Sequence, residues 1–285
     1  MKRLVFASCV LIGMILCANQ SKYVANPSDV KKVSSIVGSG FLAKPEKARK
    51  ILVFYKTEGY CHRDSIALGL ETFKIISEKT AAFTVDCSED YSVFKKENIE
   101  KYDAVVLLNT TKLNVTKNEF VAQNLISFVK SGKGLAVIHA GADNFYDCDE
   151  AASMVGGRFA CHPWNANHWW SFNNLAPEHS VSKCFAKKFM ANDEIYVHTT
   201  PPFDRSKLDI LVTLDLDDPR TGDIVKNKKA KKYREDGFYA VSWVRPYENG
   251  RVFYTSFGHD THAWLDPAVL KHIMNGVQFA IGDLK

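Results

Sequence analysis

Leu135-Ala136-Val137-Ile138-His139-Ala140-Gly141-Ala142-Asp143 is an apolar run that ends at an imidazole and passes into small residues. Four consecutive apolar residues suit a strand buried on both faces, the kind found in parallel sheets covered by helices. The same pattern recurs on either side. Ile51-Leu52-Val53-Phe54-Tyr55 leads to His62, Ala104-Val105-Val106-Leu107-Leu108 leads to Asn109, and Val252-Phe253-Tyr254-Thr255-Ser256-Phe257-Gly258 leads to His259. Between these runs lie amphipathic stretches. Ile66, Leu70, Phe73 and Ile76 form one stripe over residues 64–79, and Val121, Leu125 and Phe128 form another beyond Thr116. Strands alternating with helices predict an α/β fold with a mostly parallel sheet and helices on both faces. In such sheets, ligands bind beyond the carboxyl ends of the strands. His62, His139 and His259 are therefore expected on one rim.

The second half is less regular. A short helix is expected near 149–155, then the glycine pair 156–157 and an aromatic segment with Trp164, Trp169 and Trp170. Further strands are expected at 82–86, 194–198, 209–214, 238–244 and 251–257, and a closing helix at about 267–280.

The chain has 285 residues, 46% of them hydrophobic, which describes a globular protein with a substantial core. Its net charge is +5, and six cations fall within residues 226–234. Without a nucleic-acid motif or interleaved aromatics, that run reads as a solvated loop, and no nucleic-acid partner is expected.

Lys2-Arg3 followed by an apolar stretch from Leu4 to Cys17 fits a secretory signal. That stretch is shorter than the roughly 20 residues of an ordinary membrane span. The expected organisation is a signal at 1–19, a polar linker or arm at 20–48 and a domain at 49–285. No transmembrane segment is expected in the mature chain. Export to the periplasm or the exterior is the expectation, with lipid attachment at Cys17 left open. Cys61, Cys87, Cys148, Cys161 and Cys184 remain. One bridge is open to an exported chain, Cys148 and Cys161 being nearest in sequence, and buried free thiols are the alternative.

Four segments carry the chemistry: 57–64 with His62, 139–143 with His139, 156–164 with His162 and Trp164, and 258–264 with His259, His262 and Trp264. Glu194 adds a carboxylate. Imidazole is suited both to proton transfer near neutrality and to metal ligation. Zinc is the default for a His and carboxylate set, although no single element carries an HxH or HxxxH spacing. No GxSxG occurs, and nothing fixes a Ser-His-Asp triad.

Taken in order, several segments resemble the ThuA-like (trehalose utilisation) family. They are Gly59-Tyr60-Cys61-His62-Arg63-Asp64, Tyr102-Asp103-Ala104-Val105-Val106, Asn109-Thr110-Thr111, Gly132-Lys133-Gly134-Leu135 through His139-Ala140, Val155-Gly156-Gly157-Arg158-Phe159 with His162-Pro163, Asp193-Glu194-Ile195-Tyr196, and Gly250-Arg251-Val252 through Gly258-His259-Asp260. The resemblance implies a flavodoxin-like fold similar to class I glutamine amidotransferases. Those enzymes place a cysteine nucleophile after a central strand. His139 occupies the corresponding position here, so glutamine hydrolysis is not expected.

The family's link to disaccharide breakdown implies a carbohydrate-processing enzyme, a hydrolase or lyase, acting on a 3-keto-glycoside supplied by a partner sugar oxidoreductase. His139, His259 and Glu194 are the expected catalytic groups. Tyr60, Asn109, Trp164 and Trp264 are the expected substrate contacts, and His62 and His162 the expected metal ligands. A divalent metal such as zinc is the candidate cofactor, and no nucleotide cofactor is expected. The alternative is a sugar-binding module without turnover, stacking its ligand on Trp164, Trp169 and Trp170.

Overall fold

The computed structural model describes residues 22–113 and 115–285, and for Ile224 the backbone alone. In chain order the elements are α1 (Pro27–Ile36), β1 (Lys50–Phe54), α2 (Arg63–Thr80), β2 (Thr84–Ser88), α3 (Lys96–Ile99), β3 (Ala104–Leu108), α4 (Glu119–Lys130), β4 (Gly134–Ile138) and α5 (Asp149–Val155). Then come β5 (Phe159–Trp164), β6 (Trp169–Asn174), β7 (Lys188–Asn192), β8 (Ile195–His198), β9 (Asp209–Leu214), α6 (Ile224–Lys231), β10 (Ala240–Tyr247), β11 (Gly250–Thr255), α7 (Thr261–Leu265) and α8 (Pro267–Ile281).

One nine-stranded sheet has the order β2-β1-β3-β4-β11-β10-β9-β6-β7. Its first five strands are all parallel. Counting β11 as the fifth, their order is 2-1-3-4-5, the doubly wound flavodoxin-like arrangement. Beyond β11 the sheet continues through four antiparallel strands. β10 reaches β11 through a tight turn, which permits only antiparallel pairing.

The apolar strands are buried on both faces, as their composition requires. Ile51, Val53, Val106, Leu108, Ala136 and Ile138 pack with α2 and α8 on one side. Leu52, Phe54, Val105, Leu107, Leu135 and Val137 pack with α4 and α5 on the other. Residues alternate between the two layers because successive side chains of a strand point to opposite faces.

Two segments differ from the sequence expectation. The stretch read as a linker or arm contains α1, capped by the Asn26 side chain and opened by Pro27, which needs no amide partner there. Val33 and Val37 of this segment are buried in the same core layer as α2, so it is docked. The cationic run read as a loop belongs largely to α6, whose Ala230 is fully buried while Lys228, Lys229 and Lys231 stay in solvent. The Asp223 carboxylate caps that helix.

All five described cysteines are free, so no Cys148–Cys161 bridge forms. Burial pushes the Cys161 and Cys184 thiols up to about 11. The expected export signal lies outside the described residues. None of the described helices is long and apolar enough to cross a membrane.

Candidate functional site

Beyond three of the parallel strands, β3, β4 and β11, the backbone turns through a left-handed residue. Asn109 after β3 and His139 after β4 have φ of 49° and 47°, and Gly258 beyond β11 has 123°. For residues with a Cβ this left-handed region costs on the order of 1–3 kcal/mol and persists only where surroundings enforce it. Here the enforcement is visible. The His139 Nδ1–H donates to the carbonyl of Ser256 at 2.6 Å. Asn109 donates to Ser65 Oγ and to the Gly258 carbonyl, both at 2.9 Å, and its oxygen accepts from the Ala140 amide. At Gly258 any side chain would meet Ile138, 2.8 Å from the Cβ position.

These turns bring four groups together. Ligating atoms of His62, His139, His259 and Glu194 all lie within 4.8 Å of one another. His259 Nδ1 is 3.3 Å from both His139 Nε2 and Glu194 Oε1. His139 Nε2 is 3.8 Å from the same carboxylate oxygen. The His62 ring lies edge-on at 4.9 Å from each of the other two imidazoles. His62 precedes α2 without capping it.

Glu194 immediately precedes β8 of the separate β5–β8 ladder, whose Tyr196 packs against His139. Its second oxygen is 3.1 Å from His162 Nδ1 on β5. His162 therefore reaches the centre through Glu194 and lies outside the four-residue set.

Electrostatics follow from burial and proximity. Burial, reinforced by the like charge of His259, drives His62 down to about 3. Fully buried His139 lies well below the ordinary imidazole value for the same reasons. Both rings are neutral near pH 7. Since Nδ1 of His139 must donate to a carbonyl, its Nε2 lone pair points at the cluster. Burial would raise Glu194, but hydrogen bonds from His162 and His259 overcome it and hold the carboxyl well below its usual range. Burial lowers His259, but the Glu194 hydrogen bond and charge together with the charges of Asp193 and Asp260 raise it above the ordinary value, and the same Glu194 carboxylate raises His162. Nδ1 of His62 is buried with no hydrogen-bond partner among the described residues.

A cleft of about 450 Å³ opens over the cluster, lined by Tyr60, His62, Thr111, Lys112, Asp143, Tyr146, Phe159, His162, Glu194, Tyr196 and His259. Tyr60 stands exposed at its mouth, edge-on to His62 at 4.8 Å. His139 lies beneath the surface, its ring 4.2 Å from that of Tyr196.

Three expected substrate contacts are placed elsewhere. Asn109 is fully buried and serves as the tie between α2, β3 and the β11 loop. Trp264 donates from beneath to Ser65 and packs on Phe73. Trp164 is sealed against Tyr239, with its indole N–H on the Thr221 carbonyl. Both indoles are fully buried because strand or helix register turns them inward, and neither lines the cleft. Trp170 is buried too, which leaves Trp169 as the exposed ring of the proposed stacking trio, and it does not line the cleft.

Asp143, Tyr146, Lys112 and Phe159 line the cleft without having been singled out as site residues. The one signal for Asp143 was its position in the loop after β4.

Fold and site together define an α/β protein with a flavodoxin-like core and a buried histidine–carboxylate centre at its strand ends. The chain belongs to the ThuA (trehalose utilisation) family, whose model matches residues 50–280. Among solved structures, a ThuA-like protein from Bacteroides uniformis is similar with a TM-score of 0.65 at 21% identity, over 85% of this chain and 96% of that one. Another, from Parabacteroides merdae, gives 0.60 at 19% identity over 84% and 91%. A cytoplasmic protein from Salmonella typhimurium gives 0.53 at 12% identity over 81% and 98%. Identities this low speak for a shared fold alone. Comparison with curated proteins gives no match.

Proposed function

We propose that this protein is a metal-assisted carbohydrate-processing enzyme that cleaves an oxidised glycoside by removing a proton beside a ring ketone. The observation that carries this reading is the convergence of His62, His139, His259 and Glu194 within 4.8 Å, with Nδ1 of His62 buried and lacking a partner. Three imidazoles and one carboxylate suit a divalent transition-metal ion such as zinc. Two of the imidazoles are already held neutral, as ligation requires. An ion held there supplies Lewis-acid stabilisation to charge developing on a carbonyl oxygen.

The protein's own groups account for the rest. A ketone at C3 of a sugar ring acidifies the C2–H bond, and the glycosidic oxygen on C1 lies β to that ketone. Loss of the C2 proton therefore expels the glycosidic oxygen without any change of oxidation state. His162, whose affinity for a proton is raised by Glu194, is placed at the cleft wall to protonate the departing oxygen. A partner sugar oxidoreductase supplies the ketone. The charged and apolar opening from Lys2 to Cys17 favours a setting outside the cytoplasm.

Metal analysis of protein purified without supplements, followed by incubation with 3-keto-trehalose and 3-keto-glucosides with and without chelator, tests the reading. About one equivalent of metal and chelator-sensitive consumption of the keto sugar are expected. Metal-free protein that cannot be loaded, or no consumption under any condition, overturns it.

Asp193 provides a second test of the centre. Its carboxylate accepts from the amides of Glu194 and His259 on Oδ1 and of Gly258 on Oδ2, at 2.6–3.0 Å, so it fixes two ligand-bearing segments at once. In Asp193→Asn an amide NH₂ faces one of those donors. Divalent-metal affinity is expected to fall about 10–100-fold, as for other groups that orient ligands. Titration calorimetry giving the wild-type affinity would count against the arrangement.

A further inference from the structure

If the cation occupies the four-residue centre, the proton-abstracting base must come from elsewhere in the cleft. The lone pairs of His62, His139 and His259 are then engaged, and His139 does not line the cleft. His162 is engaged through Nδ1 with Glu194 Oε2 at 3.1 Å and is assigned above to the departing oxygen. The Tyr146 hydroxyl is committed as a donor to Asp143. Among the described residues lining the cleft, the carboxylate that remains besides Glu194 is Asp143.

We propose that Asp143, oriented by Tyr146, is the catalytic base for the carbon-bound proton. This assignment rests on the function proposed above. The backbone of Asp143 is fixed on both sides. Its amide donates to the Ala140 carbonyl at 2.8 Å, and its own carbonyl accepts from the Lys112 amide at 2.7 Å. The next residue, Asn144, is buried and bonds the Leu113 amide, the Thr110 carbonyl and hydroxyl, and the Gly141 carbonyl. The side chain is constrained as well. The Tyr146 hydroxyl donates to Oδ1, while Oδ2 accepts no hydrogen bond among the described residues. Arg158 lies 5.5 Å from the Tyr146 ring centre and donates to the Phe145 carbonyl, which holds the tyrosine in place.

Tyr196 links this wall to the centre. Its ring packs on His139 at 4.2 Å and lines the same cleft as Asp143. Burial of Asp143 outweighs the Tyr146 hydrogen bond and the Lys112 charge, so this carboxylate is a stronger base than an exposed aspartate.

The step balances. A carboxylate oxygen of Asp143 takes the C2 proton, and the C–H electron pair becomes the C1–C2 double bond as the C1–O bond breaks. The released oxygen takes a proton from His162, and the proton on Asp143 passes through water back to His162, which restores both groups. The products are a ring enone and the free alcohol.

The test compares metal-loaded wild type with Asp143→Asn and Tyr146→Phe on a 3-keto-glucoside, reading kcat, KM, metal content and hydrogen exchange at C2 in D₂O. Asp143→Asn is expected to lower kcat by about 10²–10⁴-fold, the usual worth of a positioned base, with metal content and KM within about twofold of wild type. C2 exchange falls with it. Tyr146→Phe loses about tenfold, since it only orients the base.

Should Asp143→Asn lose metal or melt early, Asp143→Ala with added formate decides the matter. Recovered turnover supports the base, and failure to recover overturns it. Wild type that neither consumes nor exchanges the keto sugar removes both this assignment and the reading beneath it. Active wild type with an equally active Asp143→Asn removes the assignment alone.

Discussion

Exchanging Glu194 for glutamine is expected to strip the protein of tightly held divalent metal and to abolish measurable turnover. Its two oxygens organise three imidazoles: Oε1 faces His259 at 3.3 Å and His139 at 3.8 Å, and Oε2 faces His162 at 3.1 Å. Glutamine matches the shape but removes the negative charge and turns one acceptor into a donor. Loss of an orienting partner alone weakens a metal site about 10–100-fold, and loss of a ligand itself should exceed about 10²-fold. The same change removes the carboxylate that raises His162 and His259. Both should then titrate at lower pH, which NMR of the imidazole protons would follow. A Glu194→Gln protein that retains one equivalent of metal after dialysis would refute the ligand assignment.

Metal-free protein should be unusually sensitive to mild acid. His62, His139, His198 and His272 are buried and neutral, with His62 and His198 lowered to about 3, His272 to about 4 and His139 well below its ordinary value. Burial is the leading cause for each. A lowered imidazole binds its proton in the unfolded chain before the folded one, so stability falls as pH drops below about 6.5 and continues falling towards the folded values.

Two carboxylates run the other way. Burial raises Asp193 to about 7 and raises Asp143 as well, so each takes up a proton in the folded state first. His162 and His259 are raised, and their contribution is complete below the unfolded value and lost only as pH climbs past it. Glu194 adds its own loss only below the ordinary carboxylate range.

Below about pH 6 the lowered imidazoles outnumber the raised carboxylates, so the unfolded chain binds more protons than the folded one and stability falls as the pH drops. Chelator-treated protein should therefore melt at a progressively lower temperature between about pH 6 and pH 4.5 when followed by circular dichroism. A melting temperature that stays level from pH 7 to pH 4.5 would contradict the buried, neutral state of these rings. Added metal should shift the transition to lower pH, because ligation competes with protonation for the same nitrogens.

The parallel half of the molecule was legible in the sequence because β1, β3, β4 and β11 are largely apolar and periodic helices lie between them. The helix expected at 64–79 occupies Arg63–Thr80, and that expected at 149–155 matches α5. The strand placed at 82–86 begins two residues later, since Ala82 and Phe83 pack in the core ahead of the ladder.

The antiparallel half was harder. β6 reads Trp-Trp-Ser-Phe-Asn-Asn, and polar Ser171 and Asn174 on it are buried through hydrogen bonds to Asp215 and to the Ser182 and Phe185 carbonyls. Nothing local announces such partners. α1 was hidden among Pro27, Gly38 and Gly40, although Asn26-Pro27 is a sound helix start.

What the sequence by itself determined is the doubly wound core and the fact that His62, His139 and His259 each follow an apolar strand, because hydrophobic periodicity is a local property of the chain. Which atoms face one another was decided only by tertiary structure. The tautomer of His139 depends on a carbonyl 117 positions away, and Glu194 reaches the centre beside a two-stranded ladder separate from the main sheet. The burial of Trp164 and Trp264, expected as substrate contacts, and the entry of Asp143 into the cleft have the same origin. Side-chain surroundings are set by strand order and loop closure, which bring together residues that no local pattern connects.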